Sequence, residues 1–301
     1  MSQQAAKKSV KARIIAIVVV VVAVLAVIIG SVVANKVHAG EEGKTTIVKV
    51  GVDSDSFNDI WDAVNQKLSD EKAGVRVELV KMDGSQINAA TDKKELDLNA
   101  FQHRAYLADQ VKQEGYKLQT YATTLIQPLN VYSNHIKKLD ELKDGDTIAV
   151  PNNPTNLGRA LKVLEAGGVL KTDPAKGYLP TVADITENPK NIKIKEVDAY
   201  QIPKLLPDVA AGITNANIAV DAGLDPQSDS IFSVPVNPDD IYNKPWVNII
   251  VGRIGEQNNP AYRKVVEAYA SDGVKKVFEE KHKADSIYLY ANLLDKPEDA
   301  K

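Results

Sequence analysis

Residues 149–161, with the sequence AVPNNPTNLGRAL, join the end of a predicted strand to the start of a predicted helix. The strand covers residues 147–150, and the polar residues after it form a loop that leads into the helix. Thr155 and Asn156 are residue types that cap helix starts, and Pro154 fixes the direction of entry. The first backbone N–H groups of a helix have no partner within the helix, so this start is a candidate anion site.

Arg159 follows the helix start by three or four residues, close enough for its guanidinium group to meet the same anion. A guanidinium group binds a planar carboxylate through two parallel hydrogen bonds. The alternative is an ordinary capped helix with Arg159 in solvent, where it contributes little. Taken alone, the stretch favours this second interpretation, so other parts of the sequence are needed to choose between an anion site and an ordinary capped helix.

Strands and helices alternate on both sides of this stretch. Period-two or apolar patterns predict strands at residues 46–52, 75–80, 96–99, 147–150, 192–197, 209–213 and 246–253. Helical spacing of apolar residues predicts helices at residues 57–68, 85–94, 102–114, 158–166, 199–206, 218–224, 261–269 and 272–282. This order predicts an α/β fold with mostly parallel sheets.

Polar and aromatic residues follow several of the predicted strands, and ligands of open α/β sheets bind beyond the carboxyl ends of strands. These positions are residues 53–57, residues 99–103, the loop at residues 151–156, Asn215 and Asn217, with Trp246 and Asn248 at the start of a further strand. The set suits a zwitterion, with arginine and amides for a carboxylate, carbonyl oxygens for an ammonium group and aromatic rings for an apolar side chain. Each residue also has a simpler role, in the core, in a turn or at a helix cap.

The composition excludes several functions. The 37 basic and 40 acidic residues give a net charge of −3, which argues against nucleic-acid binding. The chain has no cysteine, so it has no disulfide, thiolate metal site, cysteine nucleophile or lipid-modified cysteine. Its four histidines are scattered, and it has no glycine-rich phosphate loop. We therefore expect no metal and no cofactor.

The N-terminus carries an apolar segment, residues 14–34, which contains no charge and is long enough to cross a bilayer of about 30 Å. Basic residues in the preceding tail, residues 1–13, place that tail in the cytoplasm, and residues 35–45 form a linker. We expect an uncleaved anchor that holds the protein at the extracytoplasmic face of the cell membrane. Cleavage after residues 37–39 is the alternative, and it would release a secreted protein.

Three motifs together resemble one known family. They are residues 97–107 (DLNAFQHRAYL), residues 151–161 (PNNPTNLGRAL) and residues 184–191 (DITENPKN). In this order they are similar to the methionine-binding lipoproteins of the NlpA lipoprotein family, the substrate-binding components of methionine ABC importers. The resemblance runs from about residue 48 to the C-terminus.

The resemblance implies a two-lobed, periplasmic-binding-protein-like fold of type II that closes over an amino acid in a cleft. The first lobe would contain residues 46–132 and 248–301, and the second residues 133–247. The implied ligand is methionine and the implied partners are an ABC permease and its ATPase; we expect a monomer. The candidate binding residues are Phe101, His103 and Tyr106 for the ligand side chain, Arg159 for the carboxylate, and Asn215 and Asn248 for the backbone groups, with Asn156 as a further binding residue.

The chain departs from the family pattern in three ways. Ser56 and Phe57 replace a Pro-His pair, Gly84 replaces a tyrosine, and the lipid-bearing cysteine is absent. Loss of an aromatic wall at Gly84 favours a larger apolar amino acid or a short peptide as ligand. Two other functions stay open: a ligand-sensing or adhesive surface protein on the same scaffold, and a hydrolase or transferase that uses His103 as its base.

Overall fold

The computed structural model of the chain describes residues 45–237, 240, 243–283 and 286–294. The predicted membrane span at residues 14–34, its basic tail and nearly all of the linker lie outside these ranges. Within them, no helix combines the length and the apolar character that a membrane crossing requires.

The described residues form strands and helices in alternation along most of the chain. The strands are β1 Thr46–Val52, β2 Val75–Lys81, β3 Leu98–His103, β4 Leu118–Ile126, β5 Leu129–Tyr132, β6 Thr147–Pro151, β7 Lys171–Thr172, β8 Ile185–Glu187, β9 Lys193–Val197, β10 Ala211–Asn215, β11 Ser230–Ser233, β12 Asn248–Arg253 and β13 Ile287–Asn292. The α-helices are α1 Asn58–Asp70, α2 Gly84–Asp92, α3 Arg104–Glu114, α4 Pro154–Ala166, α5 Ile202–Leu205, α6 Ala216–Asp221, α7 Pro260–Tyr269 and α8 Asp272–Lys281. Short 3-10 helices include Ala199–Gln201 and Lys244–Trp246.

Two large sheets organise these elements. The six-stranded sheet has the order β13-β4-β12-β3-β1-β2, and the five-stranded sheet has the order β11-β5-β10-β6-β9. We call the first sheet with its helices the first lobe, and the second sheet with its helices the second lobe. The chain passes from the first lobe to the second between β4 and β5, at residues 127–128. It returns to the first lobe before β12.

Each lobe has its own core, which follows from the amphipathic pattern of its helices. Helix α1 buries Ile60, Trp61, Val64 and Leu68 against strands of the first sheet, since residues at this spacing share one helix face. Helix α4 buries Leu157, Ala160, Leu161 and Leu164 in the core of the second lobe in the same way. Residues 154–161 thus pack into the core of the second lobe, and this helix places Arg159 in the interior of the protein.

Three sequence predictions about the fold are wrong in detail. The sheets are mixed rather than mostly parallel, because β12 and β13 run antiparallel to their neighbours in the first sheet, as β5 and β11 do in the second. Hydrophobic periodicity identifies a strand but carries no information on its direction. A strand, β13, follows the last two predicted helices. Strand β5, which the predicted boundary at residue 132 assigned to the first lobe, pairs in the second sheet.

Candidate functional site

A cavity of about 190 Å³ lies where the two lobes meet, and both lobes supply its walls. This volume suits an amino acid, because pockets that bind drug-sized molecules usually have volumes of about 300 Å³ or more. All seven candidate residues from the sequence line this cavity: Phe101, His103, Tyr106, Asn156, Arg159, Asn215 and Asn248. The structure therefore brings together residues from β3, α3, α4, β10 and β12, although it does not by itself assign their roles.

The start of helix α4 differs by a few residues from the prediction. Asn153, not Thr155 or Asn156, caps the helix, because its side-chain oxygen accepts a hydrogen bond from the backbone N–H of Asn156 at 2.9 Å. Pro154 occupies the first turn, where its missing N–H is no loss. With the cap at Asn153, the side chain of Asn156 is left to reach the cavity and the other lobe.

Arg159 is buried, with only 9% of its surface exposed, so the interpretation that places it in solvent is wrong. One terminal nitrogen of its guanidinium group donates a hydrogen bond to the carbonyl oxygen of Gln127. The group also lies over the ring of Trp246, 5.0 Å from the ring centroid. Burial lowers the pKa of Arg159 to about 9, so the side chain still carries its charge at neutral pH. A guanidinium group has five N–H donors, which leaves donors for a ligand carboxylate.

His103 ends strand β3, whereas the sequence predicted it inside a helix. Its Nδ1 accepts a hydrogen bond from the backbone N–H of Tyr106 at 3.1 Å, so the ring proton is on Nε2. Nε2 then donates to the side-chain oxygen of Asn156, 3.1 Å away in the other lobe. Burial, together with the nearby charge of Arg159, lowers the pKa of His103 to about 3. The imidazole is therefore neutral and both nitrogens are engaged.

Aromatic rings form the apolar part of the cavity wall. Phe101 and Tyr106 meet edge to face with ring centroids 5.9 Å apart, and Tyr106 also contacts His103 edge to face. Asn248 pairs with His103 in the register of β12 and β3, while Asn215 ends β10 in the second lobe. One side of the cavity is thus apolar, and amide groups from both lobes border it.

Four further residues at or behind the cavity were not among the candidates. Asp53 follows β1, and both of its oxygens accept hydrogen bonds from the second lobe, one from the Tyr200 hydroxyl at 2.7 Å and one from the Asn217 amide at 3.1 Å. Trp246 packs edge to face on His103, with centroids 5.1 Å apart. The sequence indicates Asp53, Asn217 and Trp246 as possible site residues, because each lies next to a predicted strand. Tyr200 lies in a segment predicted as helix, and nothing in the sequence indicates that it belongs to the site.

The space beside Gly84 is already occupied. A Cβ atom at this position would lie 3.3 Å from the Tyr200 hydroxyl and 3.5 Å from the Phe101 ring. Tyr200, from the second lobe, therefore fills much of the opening that the sequence predicted at Gly84. A larger side chain here would displace the Tyr200 hydroxyl from Asp53.

This arrangement leads to a test with paired variants. We expect Gly84→Tyr to weaken binding of methionine, the ligand that the family resemblance implies, by about tenfold, because overpacking costs about 1–3 kcal/mol. Tyr200→Ala alone should also weaken binding, because Asp53 loses the hydrogen bond from the Tyr200 hydroxyl. The double variant should lose less affinity than the sum of the two single losses, since the new ring gains the space of the old one. Titration calorimetry on the three variants and the parent measures this. Additive losses would mean that the side chains at positions 84 and 200 do not compete for the same space.

Comparison with known proteins identifies the family of the chain. A model described as NlpA lipoprotein matches residues 48–289. The D-methionine-binding lipoprotein MetQ of Salmonella typhimurium is 42% identical over 252 residues, which cover 82% of this chain and 90% of that protein. Outer membrane lipoprotein 3 of Mannheimia haemolytica is 43% identical over 245 residues, which cover 81% of this chain and 90% of that protein.

Solved structures agree as well. A nutrient binding protein from Burkholderia cenocepacia bound to methionine superposes with a TM-score of 0.74 at 39% identity, covering 80% of this chain and 99% of that one. The substrate binding protein of a methionine transporter from Streptococcus pneumoniae gives a TM-score of 0.75 at 35% identity, covering 81% and 95%. With the family match extending over most of the described residues, the chain belongs to the NlpA lipoprotein family.

Proposed function

We propose that this chain is the extracytoplasmic substrate-binding component of an ABC importer and that its ligand is methionine. The observation that carries the proposal is a buried, charged Arg159 beside an amino-acid-sized cavity with an aromatic wall. Burial is the cause that lowers the pKa of this arginine, and a ligand carboxylate would supply the countercharge. The names of similar proteins, which include a D-methionine-binding lipoprotein and a methionine transporter component, support the same ligand.

The roles of the cavity residues are part of this proposal. Arg159 and Asn156 bind the carboxylate, and Asn215 and Asn248 bind the remaining backbone groups of the amino acid. The aromatic wall of Phe101, His103 and Tyr106 holds the methionine side chain. Thioether sulfur makes favourable contacts with ring edges, which suits the edge-to-face arrangement of these rings.

The wider setting of the protein is also proposed. The two lobes form a type II binding-protein fold, and the protein acts as a monomer that delivers methionine to a permease and its ATPase. Residues 14–34 hold it at the extracytoplasmic face of the membrane, since the chain has no cysteine for a lipid anchor. We also propose that the protein is not an enzyme. His103 is not available as a base, because both of its ring nitrogens are engaged in hydrogen bonds.

Calorimetric titration of the purified full-length protein tests the ligand. L-methionine and D-methionine are both titrated, because a similar protein is named for the D-enantiomer. Saturable binding of either enantiomer, tighter than that of leucine or glutamine, is the expected result. Absence of methionine binding would refute the proposed ligand. Binding without stimulation of ATP hydrolysis by the cognate permease complex would instead favour a ligand-sensing protein on the same scaffold.

A further inference from the structure

Asp53 is a carboxylate at the cavity that can still accept a further hydrogen bond. It follows strand β1, lines the cavity and is partly exposed. Tyr200 and Asn217 each donate one hydrogen bond to it, from the second lobe. Its own backbone N–H also interacts with the carboxylate. A carboxylate accepts about four hydrogen bonds, so about one position remains. An ammonium group has three donors and the opposite charge, and it is the ligand group that suits this position.

We infer that Asp53 binds the ammonium group of the ligand, so that the cavity selects amino acids over carboxylates that lack an ammonium group. The inference rests on the proposed function, since it takes a methionine-like amino acid as the ligand. It adds a countercharge for the ammonium group, which the candidate amides alone do not supply. The cavity then offers one buried cation, Arg159, and one anion, Asp53, for the two charges of a zwitterion.

Two other carboxylates border the cavity among the described residues, and both are occupied as helix caps. The side chain of Asp83 accepts a hydrogen bond from the backbone N–H of Ser85 at 2.8 Å. That of Asp198 accepts one from the backbone N–H of Tyr200 at 2.9 Å. Both side chains are exposed, so water screens their charge more than that of Asp53. Asp53 is therefore the carboxylate best placed to hold a ligand charge.

The electrostatic surroundings of Asp53 agree with this role. Burial raises its pKa to about 6, although the hydrogen bonds from Tyr200, from the Asp53 backbone N–H and from Asn217 favour the charged form. The charge of Asp221 on helix α6 raises the pKa further. An ammonium group in contact would favour the ionised carboxylate and offset the cost of its burial. A ligand without this group leaves the carboxylate without its countercharge, which reduces affinity.

The experiment compares two ligands on two variants of the full-length protein. The ligands are L-methionine and 4-(methylthio)butanoic acid, which keeps the carboxylate and the thioether but lacks the ammonium group. The parent should prefer L-methionine by about 30-fold or more, as expected for a buried charge contact. In Asp53→Asn, which preserves the side-chain shape, the preference should fall to about threefold because only the affinity for L-methionine decreases. Asp62→Asn, an exposed carboxylate in the same lobe, is the matched control.

The pH dependence of binding provides a second readout. Among the described residues, the titratable side chains that interact with Asp53 are Tyr106, Tyr200 and Asp221. Neither tyrosine titrates between pH 7.5 and 5, because burial raises the pKa of both. His103 also stays neutral, with its pKa near 3. As the pH falls through about 6, Asp53 takes up a proton and L-methionine affinity should fall about tenfold by pH 5. Asp53→Asn should flatten this dependence.

The outcomes separate this inference from the proposed function. If the parent binds no methionine, the proposed function fails and this inference fails with it. If the parent binds methionine but Asp53→Asn keeps the same preference between the two ligands, only the ammonium site is overturned. Retained binding of 4-(methylthio)butanoic acid shows that the variant is folded. Equal losses for both ligands would make Asp53 a structural contact between the lobes and would also overturn the inference.

Discussion

Replacing Arg159 with alanine is expected to weaken methionine binding by roughly 30-fold to several thousand-fold. Removing one partner of a buried charge pair costs about 2–5 kcal/mol, because the other charge stays buried without a partner. Arg159 meets the condition for this range, since it is only 9% exposed and lies at the cavity. Titration calorimetry with L-methionine on the full-length protein measures the loss directly.

Arg159→Lys separates the charge of this side chain from its geometry. Lysine keeps a positive charge but cannot form the two parallel hydrogen bonds of a guanidinium group. We expect this variant to lose most of the affinity too. Arg76→Ala, on the exposed side of β2, is the control and should leave binding unchanged. Binding by Arg159→Ala within about threefold of the parent would make the helix-start stretch structural, because threefold is only about 0.7 kcal/mol.

The parts of the fold that follow from local pattern could be predicted from the sequence. Helices α1 and α4 have apolar residues at helical spacing, and the structure contains both. The pattern predicts a strand at residues 96–99, whereas β3 begins at Leu98 and extends to His103, which the pattern assigns to the next helix. Its sequence LNAFQH contains no β-branched residue that would indicate a strand. Pairing with β1 and β12 makes it a strand, and local sequence does not reveal that pairing. The mixed strand directions were missed for the same reason.

The candidate site could be predicted where its residues lie at the ends of predicted strands or in the motifs that resemble the family. Phe101, His103 and Tyr106 lie close together in the sequence, and the structure places all three at the cavity. The partners of Asp53 are 147 and 164 positions away, so its role depends on how the two lobes meet. Tyr200 was missed because it fills the space beside Gly84 from the opposite lobe. Resemblance to a family cannot supply such residues where the chain departs from the family pattern.

Trp246 is the residue behind the cavity whose loss should affect both stability and binding. It is 6% exposed, and it packs on His103 and Tyr178 with ring centroids 5.1 and 5.5 Å away. The Arg159 guanidinium lies over its ring, which favours the charged form of a side chain that burial penalises. Trp246 thus holds Arg159 and His103 in place without lining the cavity itself.

Trp246→Ala is therefore expected to lower the free energy of unfolding by about 3–5 kcal/mol, the usual cost of removing a buried tryptophan. Denaturant titration of the full-length protein measures this. Under conditions where the variant stays folded, methionine affinity should also fall by about 2- to 30-fold, since loss of a cation–π contact costs roughly 0.5–2 kcal/mol. Trp246→Phe keeps an aromatic face and should retain most of both properties.

Phe278→Ala is the matched control, because Phe278 is as well buried but belongs to the core of the first lobe and does not line the cavity. We expect it to lose stability by about the same 3–5 kcal/mol while its methionine affinity stays near that of the parent. A loss of affinity in Trp246→Ala alone ties the tryptophan to the position of Arg159. Equal affinity in the two variants would mean that Trp246 only fills space between the lobes, and that Gln127 alone is enough to hold the guanidinium group in place.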